Sequence, residues 1–430
     1  MKNAKRLPAA TAVLLLVGAV PLSQAALNAV DPGPYLAANG FFPAWYQDTN
    51  GVALDLCLSP AVSINGSMCV LLPNPGIFDP AEPILFPSNF PDESFWFTAD
   101  ASIVAGGVDL SYGAAIEAAF GGGVPLDGDQ VSFARIRIRA TLPANAPAGT
   151  YTVTHPYGVE VFDVLAGGVK VINMTRDIGI GAPGDFTGAL AGDIGPFLQR
   201  VGGPIAVGTE TFIGDPNLFE PVTGSPFGTN FVLIAGPGSF VSRETTLFAV
   251  SGKISDVVLP APLLVERTSY SRTPDGLGGA IAQQDVFAKA PPTALVTFEG
   301  AGGAPVTMSD NDANGAWFGQ SLSDPVPLAT VTVAALNPPN TLTSEPSTLV
   351  DLVTVSRAQY SRSAGTLTVE AASSDEVDNP VLSVDATPMT LVGTGPLQIA
   401  IIPGLAIPPA FVTVTSANGG TDTEPVVVLP

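Results

Sequence analysis

Apolar and polar residues alternate along several short stretches of this chain, and a period of two predicts half-buried β-strands. The clearest is Val131-Ser132-Phe133-Ala134-Arg135-Ile136-Arg137-Ile138-Arg139, with the arginines expected on one face and Phe and Ile on the other. Residues 366–371 and 410–414 alternate in the same way. Turn residues separate such runs. Trp45-Tyr46-Gln47-Asp48 and Val52-Ala53-Leu54-Asp55 flank Thr49-Asn50-Gly51, and an Asn-Gly step supplies the positive φ of a hairpin turn. Residues 148–153 and 159–162 predict a second hairpin across Pro156-Tyr157-Gly158, and Phe95-Trp96-Phe97 a separate aromatic strand. One segment reads differently. Residues 114–120 are alanine-rich and end at Gly121-Gly122-Gly123, which predicts a short helix.

A repeat organises the C-terminal part. Val265-Glu266-Arg267-Thr268-Ser269-Tyr270-Ser271-Arg272 returns 90 residues later as Val355-Ser356-Arg357-Ala358-Gln359-Tyr360-Ser361-Arg362, with five of eight positions identical. Pro305-Val306-Thr307-Met308 aligns with Pro388-Met389-Thr390-Leu391, and Ala329-Thr330-Val331-Thr332-Val333 with Ala410-Phe411-Val412-Thr413-Val414. The order is kept and the offset drifts only by loop lengths, which predicts tandem modules of about 85 residues at 259–346 and 347–430. Their length, strand rhythm and tandem arrangement resemble the bacterial immunoglobulin-like or fibronectin type III-like repeats of exported proteins. That resemblance implies β-sandwiches serving as spacers, adhesive stalks or appendages, and leaves the chemistry open. Residues 26–258 are expected to form an N-terminal β-rich unit, divided near 165 into parts at 26–165 and 166–258. The fold class expected is all-β, a multi-domain β-sandwich.

The first 25 residues carry an address. Lys2, Lys5 and Arg6 precede an apolar run at 9–20, and Ser23-Gln24-Ala25 places small residues at a cleavage site, so a secretory signal peptide is expected. The longest uncharged run, 386–421, holds Pro388, Pro396, Pro403, Pro408 and Pro409, which argues against a membrane-spanning helix. An exported chain with Cys57 and Cys69 as its only cysteines is expected to join them across a loop rich in turn residues.

Composition narrows the function classes. Of 430 residues, 16 are Lys or Arg, 38 Asp or Glu and one His, for a net charge of −22 that becomes −25 once three basic residues leave with the signal peptide. Clustered cations are lacking, so nucleic-acid binding is excluded. One His removes multi-histidine metal sites, and 46 Gly with 42 Pro disfavour long helical bundles. With 46% apolar residues and a mean hydropathy of +0.38, the chain can bury a core.

Three constellations could carry chemistry. Asp310-Asn311-Asp312-Ala313-Asn314-Gly315 resembles the start of an EF-hand-like calcium loop, with Asp310, Asp312 and Asn314 as oxygen donors, but the twelfth position is Ser321. The same residues also suit a solvated β-turn. Trp45, Tyr46 and Trp96 could form a sugar-stacking platform or fill a core. Paired acids at Asp92-Glu93, Asp127 with Asp129, and Asp375-Glu376 with Asp378 could serve a glycosidase or sit in exposed turns. His155 is the single imidazole and no GxSxG elbow occurs, so a His-based hydrolase is not expected.

These observations point to an exported, non-catalytic structural or adhesive protein of the envelope or cell surface, whose partner is an envelope component, a glycan or a second copy. The alternative is a carbohydrate-binding protein or two-carboxylate glycoside hydrolase with its site in the N-terminal unit. A secreted regulatory partner is a third reading, with no specific residue to support it.

Overall fold

A computed structural model describes residues 26–72, 78–327, 329–385, 389–392 and 395–430. The signal-peptide reading and Pro388 lie outside them. The chain is all-β, a multi-domain β-sandwich, with two short 3-10 turns and no α-helix among the described residues. Among those residues no helix is long and apolar enough to cross a membrane.

The N-terminal unit contains strands β1 (Leu27–Val30), β2 (Trp45–Asp48), β3 (Ala53–Asp55), β4 (Leu71–Leu72), β5 (Glu93–Ala105) and β6 (Val108–Phe120). It continues with β7 (Gln130–Leu142), β8 (Gly149–His155), β9 (Gly158–Val164), β10 (Gly168–Ile178), β11 (Gln199–Arg200) and β12 (Ile205–Val207). It closes with β13 (Glu210–Phe212), β14 (Glu220–Thr223), β15 (Val232–Ala235), β16 (Arg243–Thr245), β17 (Leu247–Ser251) and β18 (Lys253–Ile254). Three sheets form, in the orders β1-β2-β3-β18-β13-β12, β10-β7-β6-β5-β17-β14-β11 with β4 beside β5, and β16-β15-β8-β9. They enclose a large core running from Leu27 to Val250, with a small separate cluster of Cys57, Met68, Cys69 and Phe212 around the cysteines.

Two expectations need correction. Residues 114–120 belong to strand β6, paired along its length with β5 and β7. Alanine favours a helix locally, but a strand bonded on both sides satisfies every backbone group of this buried segment. The divide expected near 165 also fails, because β17 pairs with β5, β15 with β8 and β18 with β3. The parts before and after 165 share sheets and core.

The two C-terminal modules repeat one topology. The first contains β19 (Leu264–Pro274), β20 (Ala280–Lys289), β21 (Leu295–Glu299), β22 (Pro305–Thr307), β23 (Ala316–Ser321), β24 (Thr330–Leu336), β25 (Thr343–Thr348) and β26 (Val350–Asp351). The second contains β27 (Val353–Ser361), β28 (Thr366–Ser373), β29 (Leu382–Val384), β30 (Met389–Thr390), β31 (Leu397–Ile402), β32 (Phe411–Ser416), β33 (Thr421–Pro425) and β34 (Val427–Leu429). Each has two four-stranded sheets, ordered β23-β20-β19-β26 and β22-β21-β24-β25 in the first, β31-β28-β27-β34 and β30-β29-β32-β33 in the second. Even the bulge recurs, between Val265 and Arg267 and between Val355 and Arg357. Separate cores fill the two sandwiches, one around Val286, Val296, Phe298 and Val333, the other around Leu367, Val369, Leu382 and Val412. Strand β26 pairs in parallel with β19, so residues 347–351 complete the first module and not the second.

Each module sets an asparagine-bearing loop against the domain before it. Asn337 and Asn340 donate to the Asn50 and Gly51 carbonyls of the β2–β3 turn at 3.2 and 3.1 Å. Gly51 has φ +85°, and a Cβ there would stand 2.5 Å from Asn340 Oδ1, so this joint requires glycine. The β32–β33 hairpin meets the first module in the corresponding way, with Asn418 Nδ2 donating to the Tyr270 hydroxyl at 2.8 Å.

Candidate binding face

The aromatic residues expected to stack a sugar in the N-terminal unit are mostly core. Trp96 is fully buried, and its Nε1–H donates to the Pro43 carbonyl at 3.2 Å. Tyr46 is also fully buried, packs edge-on against Trp96 and donates to the Phe186 carbonyl at 2.7 Å. Trp45 alone is half-buried. On β2, Tyr46, Gln47 and Asp48 are all buried, and the two buried rings present no face to a ligand. The arginine stripe of β7 also differs from expectation. Phe133 shares the arginine face, with the Arg135 guanidinium 4.8 Å above its ring. Arg135 forks onto Asp177 at 2.7 and 2.9 Å and also reaches Glu117, which is buried.

Each of the three expected donors in the Asp310 loop has one oxygen engaged locally, while Asp310 Oδ1 is buried with no hydrogen-bond partner among the described residues. Asp310 Oδ2 accepts the Gly315 N–H at 2.8 Å, Asp312 Oδ2 accepts Asn314 Nδ2 at 2.8 Å, and Asn314 Oδ1 accepts the Ala316 N–H at 2.9 Å. Among the described residues no group of three or more His, Cys, Asp or Glu could hold a metal ion. The paired acids are likewise engaged where bonds are seen: Asp129 accepts the Gly122 N–H, and Asp375 and Asp378 both meet Arg272. His155 is buried against Tyr112, with ring centroids 5.1 Å apart, in the hairpin expected for it.

The expected disulfide joins Cys57 and Cys69, with Cα atoms 5.3 Å apart. Its loop is anchored through Asp215, which accepts Ser63 Oγ at 2.8 Å, Asn65 Nδ2 at 2.9 Å, and the Asn217 backbone and side-chain N–H groups at 2.9 and 3.0 Å. Burial pushes the Asp215 carboxyl up, but these donors outweigh it and hold the group below the usual carboxylate range.

A partly exposed aromatic row lies on the first module, on the outer face of β19, β20 and β23. Arg267, Phe287 and Phe318 stand directly opposite one another across these strands. The Arg267 guanidinium lies 4.2 Å from the Phe287 ring centroid, and the Phe287 and Phe318 centroids are 5.0 Å apart. Phe318 is 41% exposed, a large aromatic left in water. Two residues along the strand, about 7 Å away, lies a polar row. Asp285 takes one amide on each oxygen, from Gln283 at 2.8 Å and Gln320 at 2.9 Å. Each carboxylate oxygen retains a lone pair for a further donor, and each amide oxygen remains an acceptor. Lys289 and Glu266 form an ion pair at 3.2 Å on the other side of the aromatic row.

The sister module has the same strands without this surface. Opposite Arg357 stands Glu370, paired to it at 2.8 Å, and next comes Ile399. The neighbouring row is Gln359, Thr368 and Ile401. The aromatic ladder is therefore not demanded by the fold. Sequence reasoning missed it because Val286-Phe287-Ala288 and Trp317-Phe318-Gly319 are apolar on both faces, which hides the period. The signal available was the repeat, in which Phe287 aligns with Glu370.

No family profile matches the chain, and no curated protein matches it in sequence. Solved structures that are similar in part include SGBP-B of the Bacteroides ovatus mixed-linkage glucan utilization locus, in complex with a mixed-linkage heptasaccharide. It is 10% identical with a TM-score of 0.19, and the match covers 69% of this chain and 64% of that one, just under two thirds of its length. A 1.5-MDa bacterial ice-binding adhesin is 13% identical with a TM-score of 0.17, covering 69% of this chain and 91% of that one. The insect immune protein hemolin is 9% identical with a TM-score of 0.17, covering 71% and 83%. At these scores the likenesses carry no argument about function, and the chain is placed by its own geometry.

Proposed function

We propose that this chain is an exported, non-catalytic adhesive or binding protein of the envelope or cell surface, and that the outer face of its first C-terminal module holds a glycan. The single observation behind this reading is the ladder of exposed Arg267, half-buried Phe287 and exposed Phe318 beside the Asp285 row, on a face where the sister module has an ion pair and aliphatic residues. A pyranose ring has a CH-rich face that suits an aromatic ring and a rim of hydroxyls that suits planar side chains bearing both donors and acceptors. Phe287 and Phe318 supply the first, Asp285, Gln283 and Gln320 the second. The other domains position this face. A disulfide fits an oxidising compartment, and the acidic surface keeps the chain soluble.

Affinity electrophoresis through gels containing β-glucan, xylan or mannan tests the reading. Retardation by at least one polysaccharide is expected, with a loss of about tenfold or more in the Phe287→Ala/Phe318→Ala double variant, as for an interface anchor. Circular dichroism verifies that the variant remains folded, since removing a cross-strand pair costs only about 0.2–1 kcal/mol. No retardation in any gel, or equal retardation of variant and parent, would show the ladder to be a sheet-stabilising pair only.

A further inference from the structure

The repeated Tyr-x-Arg segment marks the same pole in both modules, and at that pole the first module is covered. Arg272 there meets Asp324 of its own module at 2.9 Å and Asp375 and Asp378 of the second module at 3.5 and 2.6 Å. Its backbone N–H donates to Ser374 O at 2.9 Å and its carbonyl accepts the Glu376 N–H at 2.8 Å. Strand β26 lies beside it, and Asp351 Oδ1 accepts the Gly420 N–H at 3.0 Å. A Cβ on Gly420 would stand 2.2 Å from the Asp351 carbonyl, so the hairpin sits flush on that strand.

Among the described residues nothing covers the equivalent pole of the second module. Arg362 is exposed and its guanidinium makes no ion pair among the described residues, while its N–H bonds Leu429 O at 3.1 Å. Strand β34 pairs in parallel with β27 as β26 does with β19, and its Val427, Val428 and Leu429 are exposed apolar residues on an edge strand. The Tyr360 hydroxyl is satisfied internally by the Leu405 carbonyl at 2.6 Å, which leaves Arg362 and β34 as the available surface. With the second module removed, the first would likewise show an arginine beside an uncovered parallel edge strand, although Arg272 would keep Asp324 and β26 carries Asp351.

We infer that this pole is a docking site for the acidic pole of a further β-sandwich, of the kind that Asp375, Asp378 and the Asn418 hairpin present to Arg272. Arg362 receives the carboxylates and β34 receives the hairpin. The occupant is identified by continuity with the joint already in the molecule and by charge. It is independent of glycan binding at the first module.

The test presents such a pole at high effective concentration by fusing a second copy of residues 353–430 after Pro430 of the full chain. Small-angle scattering should then show one rigid particle, and exchange of the Arg362 amide should slow at least tenfold relative to the unfused chain. Arg362→Glu should restore flexibility and fast exchange, and Asp375→Lys with Asp378→Arg in the appended copy should re-dock that variant. Should the appended copy fail to fold, a synthetic peptide of residues 373–379, cyclised through added terminal cysteines, is titrated onto the full chain. Binding that Arg362→Glu weakens at least fivefold supports the site. An appended copy that folds but stays mobile, docking indifferent to Arg362→Glu, or no peptide binding overturns it.

Discussion

Replacing Arg272 with Met should open the joint between the two C-terminal modules while leaving each module folded. The Arg272 side chain touches three carboxylates and belongs to neither hydrophobic core. Asp324 and Asp378 are 51% and 57% exposed, so those pairs contribute little, about 0.5 kcal/mol each. Asp375 is fully buried, but it keeps the Tyr270 hydroxyl at 3.0 Å and the Val377 and Asp378 N–H groups at 3.2 and 3.1 Å. Its loss is therefore that of one long charge-assisted contact, about 1–2 kcal/mol, and not that of an abandoned buried charge. Only the Asp375 and Asp378 contacts cross the joint, so the total is about 1.5–2.5 kcal/mol, a shift of about 10- to 70-fold in the open population of the joint. Hydrogen exchange measures it directly. The Arg272 and Glu376 amides, which cross the joint, should exchange faster by that factor, while Val286 and Val369 in the two cores should not change. Unchanged exchange at Arg272 and Glu376, or equal acceleration in the cores, would refute the claim that this arginine holds a joint and not a domain.

Two further outcomes follow from the N-terminal unit. Cys57→Ser/Cys69→Ser should lower its stability by about 3 kcal/mol, the chain-entropy value for so short a loop, and urea denaturation of parent and variant checks it. Asp215 is held below the ordinary carboxylate range, so its contribution is present above the unfolded pKa near 3.8 and is lost as pH falls through the lower folded value. Acid below the ordinary carboxylate range should therefore release the Cys57–Cys69 loop from Asp215, and Asp215→Asn should flatten that part of the stability–pH curve. An unchanged slope in the variant would assign the acid limb to other groups.

Much of the architecture can be read from the residues, because strands and turns are local. The hairpins at 45–55 and 149–164 and the modular repeat depend on alternation, Gly and Pro at neighbouring positions. What eluded sequence reasoning depends on distant partners. Ala114 and its neighbours have helical propensity, and only the strands on either side of them enforce extension. The divide near 165 fails because the strand that completes the central sheet, β17, arrives about 150 residues after its partner β5. Residue type groups Phe133 with Ile136, whereas its odd position puts it with Arg135. The candidate face needed knowledge of which apolar residue on each strand points outward, and two successive apolar residues conceal that. Arg272 and Arg362 are equivalent in sequence, and only the acids gathered around the first reveal what the position does.

The pairing of β17 with β5 also sets an order of folding. A chain emerging from its N-terminus completes each C-terminal module within about 90 residues of beginning it, but the large central sheet stays open until residue 251 has emerged. Contacts so far apart in sequence make closure slow. Until then the Thr98–Asp100 edge of β5 is vacant, beside Phe97, Ala99 and Ala101, apolar residues destined for the core. The N-terminal unit thus emerges before the two C-terminal modules yet, by its topology, is slower to close than either, so it is the part that most needs to be kept from pairing with other strands while it waits.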